Sequence, residues 1–442
     1  MKTVIHPARA VALGFLLAIV AGTVLLMLPA ARSEASGAPW YVALFTAVSA
    51  VCVTGMAIVD TGTYWSLFGQ SIIMLLFQLG GVGLMTAATL LGLMVNRSPR
   101  LRTRLMTQTE SRTLGLGDIT NVAKIVVVVS ALCQLVLTLL LTLRLHFGHG
   151  LDWQGAAWSG LFHAASAFNN AGFSIHPEGM MRFAGDGLIL LPIMAAIVIG
   201  GIGFPVLHDL RMRLRDPRHW SLHTKLTLWG TLILLAGGFL AVLLFEWDNP
   251  RTMGAFSTAD KLLNSMFMSV AARTAGFNTV DIGALTHETW AVHYFLMFVG
   301  GGSAGTAGGV KVGTVAILAL LVIAEIKGHT DTEAFGRRVG APAQRQAITV
   351  LVLGSVVVAL ATIIMLRITH LPTNQVIFEV IAAFGSAGLS TGITADLPVA
   401  GQLLLAALMF AGRVGTITLA DSLVLGERRM PYRYPEEHPI GG

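Results

Sequence analysis

Charge is what this sequence has least of. Only 12% of its 442 residues are Asp, Glu, Lys or Arg, against roughly 25% in a soluble domain. With 54% hydrophobic residues and a mean hydropathy of +0.73, a water-soluble fold is nearly excluded. Cysteine is almost absent too: Cys52 and Cys133 lie in apolar surroundings, form no CxxC pair and do not suggest a disulfide scaffold. Catalytic patterns are missing as well. His287-Glu288 followed by His293 is not HExxH, since two ligands on one helix face need i,i+4 spacing, and no GxSxG, paired intramembrane Asp or Cys/His cluster occurs. The chain is not expected to be an enzyme.

What the sequence has is long apolar runs. Val11 to Leu28, Ile125 to Leu143 and Ile348 to Leu366 approach the roughly 20 residues that cross a ~30 Å hydrocarbon core. Spans recur through nearly the whole chain, so function is expected to reside in the membrane part. Lys2 and Arg9 ahead of an apolar stretch resemble a signal peptide, but no A-x-A cleavage site follows, and an uncleaved first span is expected. The net charge of +6 has the sign that nucleic acid attracts, yet its distribution argues for a membrane. Basic residues collect in alternate loops: Arg97, Arg100, Arg102, Arg104 and Arg112; Arg211, Arg213, Arg215, Arg218 and Lys225; Lys327, Arg337, Arg338 and Arg345; and Arg428, Arg429 and Arg433. The intervening loops hold chiefly Arg32, Arg182, Arg251 and Lys261. That asymmetry places both termini in the cytoplasm and requires an even number of crossings.

A fourfold internal repeat organises the chain. Each unit reads as a long span, a half-length apolar segment, a small-residue turn and another long span. The half-length segments are Tyr41 to Val53, Ala156 to Asn169, Ala259 to Ala272 and Gln375 to Phe384, each too short to cross as a helix. The turns that follow are Val53-Thr54-Gly55-Met56, Asn170-Ala171-Gly172-Phe173, Thr274-Ala275-Gly276-Phe277 and Ser386-Ala387-Gly388-Leu389. A lone glycine ordinarily serves helix packing, but four at intervals of roughly 110 residues point elsewhere. Non-helical backbone at membrane depth survives only when buried in protein or lining a watery cavity, so the four segments imply one shared pore. Glycine permits φ > 0 and lets successive carbonyls face a common axis, where they replace the hydration shell of a monovalent cation. The expected fold is an all-α integral membrane protein with pseudo-fourfold symmetry. Its repeats are expected over residues 1–95, 96–210, 211–330 and 331–425, followed by a tail over 426–442.

Ser49 to Gly55 (SAVCVTG), Ser166 to Phe173 (SAFNNAGF), Arg273 to Asn278 (RTAGFN) and Ala383 to Ser390 (AFGSAGLS) resemble the four selectivity-filter segments of the Trk/Ktr/HKT superfamily of cation transporters, particularly its KtrB branch. The resemblance runs from about residue 10 to about residue 425. It implies four M1–pore helix–M2 units, hence eight spans. It also implies a homodimer, potassium uptake across the bacterial plasma membrane, and control by a cytoplasmic KtrA-like nucleotide-binding ring, with nucleotide on that partner. Bound potassium would meet Val53, Thr54 and Gly55; Asn170, Ala171 and Gly172; Thr274, Ala275 and Gly276; and Ser386, Ala387 and Gly388. TrkH-type chains begin with an extra pair of spans, whereas here the first repeat starts at once. Gly55 stands where some sodium-transporting plant members have Ser, which favours potassium. One glycine per filter, against two in TVGYG, implies looser discrimination. Sodium coupling is a family property for which no site is identified.

Gly300 to Gly313 holds seven glycines inside an expected helix, each costing roughly 1 kcal/mol against Ala. The helix is therefore expected to break. A phosphate loop needs contiguous Gly-Lys-Ser/Thr, and Gly309-Val310-Lys311-Val312 lacks it. The run resembles the family's intramembrane gate loop, which implies a gate formed by Gly300, Gly301, Gly302, Ser303, Ala304, Gly305, Thr306, Ala307, Gly308, Gly309 and Lys311. Arg413 lies within an apolar span, at a cost of at least about 2.5 kcal/mol. It either snorkels to the interface or matches the family's pore arginine beside that gate. Arg273 reads as a clamp on loop carbonyls, because a guanidinium in the ion path would repel cations. Lys311 supports the gate loop or lies at the interface. Asp60 and Asp281 attract cations to the mouth or are simply solvated. The rival architecture is an alternating-access transporter with discontinuous helices, which predicts two inverted halves instead of four same-direction repeats.

Overall fold

A computed structural model describes residues 7–34, 36–95 and 116–415. The basic residues Lys2, Arg97, Arg100, Arg102, Arg104, Arg112, Arg428, Arg429 and Arg433 and the tail over 426–442 lie outside the described residues. The structure is mostly helical, and the strand content of the described residues is one two-residue hairpin, Glu333–Ala334 with Arg337–Arg338.

The four half-length segments are helices, Trp40–Val51, Trp153–Asn169, Thr258–Ala271 and Thr373–Gly385, of 12 to 17 residues. At 1.5 Å per residue they run roughly 18 to 26 Å, short of a bilayer core. Local chemistry fixes their starts. Asp152 and Ser257 accept hydrogen bonds from Gly155 N and Asp260 N, while Pro39 and Pro372 precede the other two. Their ends are buried on every side, as in the unbroken buried run from Phe162 to Asn169.

Longer helices surround these four. Ile125–His149, Leu222–Glu246 and Ala341–Ile368 are each long and apolar enough to cross a membrane. Their outward faces carry exposed Leu132, Leu135, Leu139, Leu240, Leu244, Leu360 and Ile363. An apolar face of that kind is stable against lipid, and the helices satisfy their own backbone groups.

The helix that closes each repeat differs from one repeat to the next. In repeat one, Leu67–Val95 is continuous. In repeat two, Gly187–Ile202 and Phe204–Arg213 meet at 98°, so the second long segment expected there is sharply bent. The break falls at Gly203, whose φ of 93° and ψ of 149° no helix accommodates, and Pro205 then opens the second piece. In repeat three the helix stops at Phe298 and resumes at Val312, so the glycine-rich run is indeed non-helical. In repeat four, Val399–Phe410 passes into a π-helical turn over Ala411–Gly415.

Candidate ion pathway

Each half-helix ends in the same backbone manoeuvre. A non-glycine residue takes positive φ, Val53 at 56°, Asn170 at 57°, Thr274 at 73° and Ser386 at 51°. The glycine two positions on does the same, with 86° at Gly55, 70° at Gly172, 73° at Gly276 and 77° at Gly388. Such angles are uncommon for residues bearing a Cβ and persist only where the surroundings enforce them. Hydrogen bonds from Thr54 N to Ser49 O, Ala171 N to Ser166 O and Ala387 N to Ala382 O, each 2.8 Å, close three of the turns against their own helices.

The turns meet in a closed ring. A Cβ on Gly55 would strike Ala171 O and Gly172 Cα; one on Gly172 would strike Ala275 O and Gly276 Cα, each at 2.8 Å. One on Gly276 would press on Gly388 Cα at 3.3 Å, and one on Gly388 would strike Thr54 O. Repeat one thus abuts two, two abuts three, three abuts four, and four returns to one. Glycine is required at all four positions by backbone approach as well as by φ. Four half-helix C-termini also converge here, each carrying about half a negative charge, which favours a cation on the axis.

One vestibule of about 380 Å³ opens on this ring, lined by all four glycines together with Asp60, His176, Asn278, Ser390 and Thr394. Asp60 caps a helical turn, accepting from Thr63 N and Oγ1 at 2.7 Å. Asp281 accepts from Gly283 N at 2.9 Å and is not among the lining residues. Burial, with Arg182 nearby, holds the His176 imidazole down at about 4 in spite of Asp60, so at neutral pH it adds no positive charge to the mouth.

On the far side of the ring lies the glycine-rich loop. It folds back on itself, with Gly300 N bonded to Val310 O at 2.8 Å and Val310 N to Phe298 O at 3.1 Å. It is also fastened to the kinked helix of repeat two: Gly302 N donates to Gly201 O at 2.8 Å and Thr306 N to Gly200 O at 3.1 Å. Thr306 Oγ1 reaches Phe168 O at 3.3 Å, and a Cβ on Gly308 would meet the Ser386 side chain at 2.5 Å. The loop therefore sits directly beneath turns two and four. Packing against Ser303 O is what leaves no room for a side chain at Gly203.

Three basic side chains surround the loop. Arg413, fully buried, donates to Thr306 O and, at 3.3 Å, to Gly80 O. Lys311 Nζ donates to Ala307 O at 2.6 Å, and Arg273 donates to Gly300 O at 3.1 Å. Among the described residues the ion pairs involve none of the three. Their donors are met by loop and helix carbonyls, so these side chains hold the loop, and the two guanidinium groups add positive potential beneath the ring.

A second set of glycines escaped the sequence reading. A Cβ on Gly80 would strike Val51 O, one on Gly200 would strike Phe168 O, and one on Gly412 would strike Phe384 O. Each carbonyl stands at the same place before its ring glycine, so the closing helices of repeats one, two and four touch the half-helices backbone to backbone. The signal was there: glycine recurs roughly 25 residues after each ring glycine.

Comparison with known proteins agrees with this geometry. A family model described as TrkH, cation transport protein, matches residues 8–425. The Ktr system potassium uptake protein B of Bacillus subtilis is 40% identical over 436 residues, covering 99% of this chain and 97% of that protein. The potassium/sodium uptake protein NtpJ of Enterococcus hirae is 33% identical over 441 residues, covering 98% and 96%. The crystal structure of the potassium transporter TrkH from Vibrio parahaemolyticus superposes with a TM-score of 0.73 over 95% of this chain and 85% of that one. At 18% identity that likeness speaks to the fold alone.

Proposed function

The chain belongs to the TrkH family of cation transport proteins, and we propose that it takes up potassium across the bacterial plasma membrane through a channel-like pore. The observation that carries this reading is the closed ring of four positive-φ glycine turns, with half-helix C-termini behind it and a bonded loop beneath it. In the proposed arrangement four units over 1–95, 96–210, 211–330 and 331–425 supply eight spans, with both termini cytoplasmic. The filter comprises Val53 to Gly55, Asn170 to Gly172, Thr274 to Gly276 and Ser386 to Gly388. Their carbonyls replace water around a potassium ion, which needs no side-chain carboxylate on the axis.

Gly300 to Gly309, with Lys311 and Arg413, forms the gate. The closed state is the one described, with the loop tied to Gly200, Gly201 and Arg413. Opening exchanges a handful of loop hydrogen bonds, each worth about 1 kcal/mol net, a scale that a partner subunit can supply. That partner is a cytoplasmic nucleotide-binding ring on a homodimer of this chain, with Arg211 to Lys225 among its contacts. The names of two relatives, one a Ktr system protein and one a potassium/sodium uptake protein, support a partnered system and a role for sodium beside potassium. The membrane potential suffices as driving force, at about 2.3 kcal/mol per charge per 100 mV, or roughly fifty-fold accumulation.

Expression in a bacterium lacking its own potassium uptake systems tests the reading. Growth at low external potassium, with rubidium tracer entry, is the expected result. A folded, membrane-inserted protein that restores neither removes the proposal.

A further inference from the structure

The four half-helices carry different residues at one equivalent place: Thr46, His163, Phe267 and Glu379, each at the same distance before its ring glycine. In two opposite repeats this residue reaches across to the extended segment leaving the ring. Glu379, fully buried, accepts through Oε1 from Ser390 Oγ at 2.9 Å, Thr391 N at 2.8 Å and Thr391 Oγ1 at 3.0 Å, and through Oε2 from Thr394 Oγ1 at 2.7 Å. His163, also buried, has Nδ1 2.7 Å from Ser159 O, a carbonyl that can only accept. Its Nε2 is therefore the acceptor, and Ser174 Oγ donates to it at 3.0 Å. Ser174 and Ser390 stand at equivalent places after Gly172 and Gly388. Stacking of His176 on His163, with ring centroids 4.9 Å apart, adds a second layer behind turn two. Phe267 has no polar side-chain atom to offer, and Thr46 makes no hydrogen bond to the segment after Gly55.

We propose that Glu379 and His163 are positioning residues for ion selectivity, pinning turns two and four from behind so that their carbonyls cannot close onto a smaller ion. This rests on the filter reading above. Discrimination between potassium and sodium by carbonyl oxygens depends on how far those oxygens yield, and a turn held on both flanks yields less than one held only by its own helix. Turns two and four also touch the glycine-rich loop, through Phe168 O and Ser386, while the third segment reaches it through Arg273. Stiffness in that pair therefore keeps the ring in shape when the loop moves.

The test is the potassium-to-sodium permeability ratio of the full-length protein in proteoliposomes, read beside melting temperature. Glu379→Ala and His163→Phe are each expected to lower the ratio at least fivefold. Glu379→Gln is expected to rescue it to within twofold of wild type, because an amide still accepts from Thr391 N and can donate to Thr394 Oγ1. Thr46→Val is expected to leave the ratio unchanged. If Glu379→Ala fails to fold, Ser390→Ala and Thr394→Val cut the same bonds from the loop side and should lower the ratio, non-additively with each other. A ratio within twofold of wild type in the folded variants overturns the proposal. Gly55→Ser measured alongside separates the two readings: if it lowers the ratio while Glu379→Ala and His163→Phe do not, the filter stands and the positioning role falls. If none of them lowers the ratio, the filter reading itself has failed.

Discussion

The two halves of this molecule treat the same fourfold repeat in opposite ways. Around the ring, four unlike sequences converge on one backbone path, with positive φ at equivalent residues and glycine at every point of contact. On the other side, the four closing helices are continuous, bent by 98°, interrupted and π-helical in turn. Binding a spherical ion rewards equal ligands on all sides, so divergence there is costly. A single loop packed against one side of the ring leaves each neighbouring helix in different surroundings, so these helices need not match. On the proposed function, symmetry belongs to the part that holds the ion and its loss to the part that controls passage.

The sharpest way to break this contrast is to attack the seam between the halves. Gly412→Val places a side chain on Phe384 O, and the buried collision should cost more than about 4 kcal/mol. Loss of monodisperse protein in detergent is the expected outcome, and normal yield would show that the closing helix can withdraw from the ring.

Next in size is the ring itself. Gly55→Ser adds a Cβ against Ala171 O at a residue with φ of 86°, and should lower the potassium-to-sodium ratio about tenfold, or ~1.4 kcal/mol. Gly388→Ser, which strikes Thr54 O, should do much the same if the ring is functionally fourfold. Ion competition in flux assays checks both.

The unsymmetrical half should respond in rate and leave preference alone. Deleting Ser303 to Gly308, or Arg413→Ala, removes the loop's tether through Thr306 O and should raise potassium flux about fivefold, close to 1 kcal/mol of barrier. The selectivity ratio should hold. Flux no faster than wild type in folded variants would assign the loop to packing.

The smallest effect concerns pH. His176 is held at about 4 from an ordinary 6.5, so folding favours its neutral form. That contribution is complete above 6.5 and fades as pH falls toward 4, so stability should drop by under about 1 kcal/mol between pH 7 and pH 6. The drop should shrink in His176→Gln, as melting curves at the two pH values would reveal.

How much of this was readable in advance follows the same division. The half-helices fell within three residues of their sequence-based bounds, because an apolar run that ends at a glycine four times over is a periodic signal. The interruption after Phe298 was readable from glycine density alone. The bend at Gly203 was not, since Gly-Ile-Gly-Phe-Pro is also compatible with close helix packing, and only the approach of Ser303 O decides it. Glu379 and His163 went unremarked for a related reason. A polar residue in a buried helix gains its meaning from a partner across a loop, and spacing along the chain does not display that partner.

Closure of the ring has a consequence for how the chain is made. Gly388 completes the ring against Thr54, and Arg413 binds Gly80 across a separation of 333 positions. A ribosome delivers the first turn long before the last, so three turns must wait in the membrane with their carbonyls unmatched. Backbone groups cannot stay exposed to lipid, and contacts so remote along the chain form late. The nascent protein is therefore most vulnerable to proteases just before its fourth repeat emerges, and a chain stopped short of residue 388 should be degraded in the membrane and not persist there as a leaky pore.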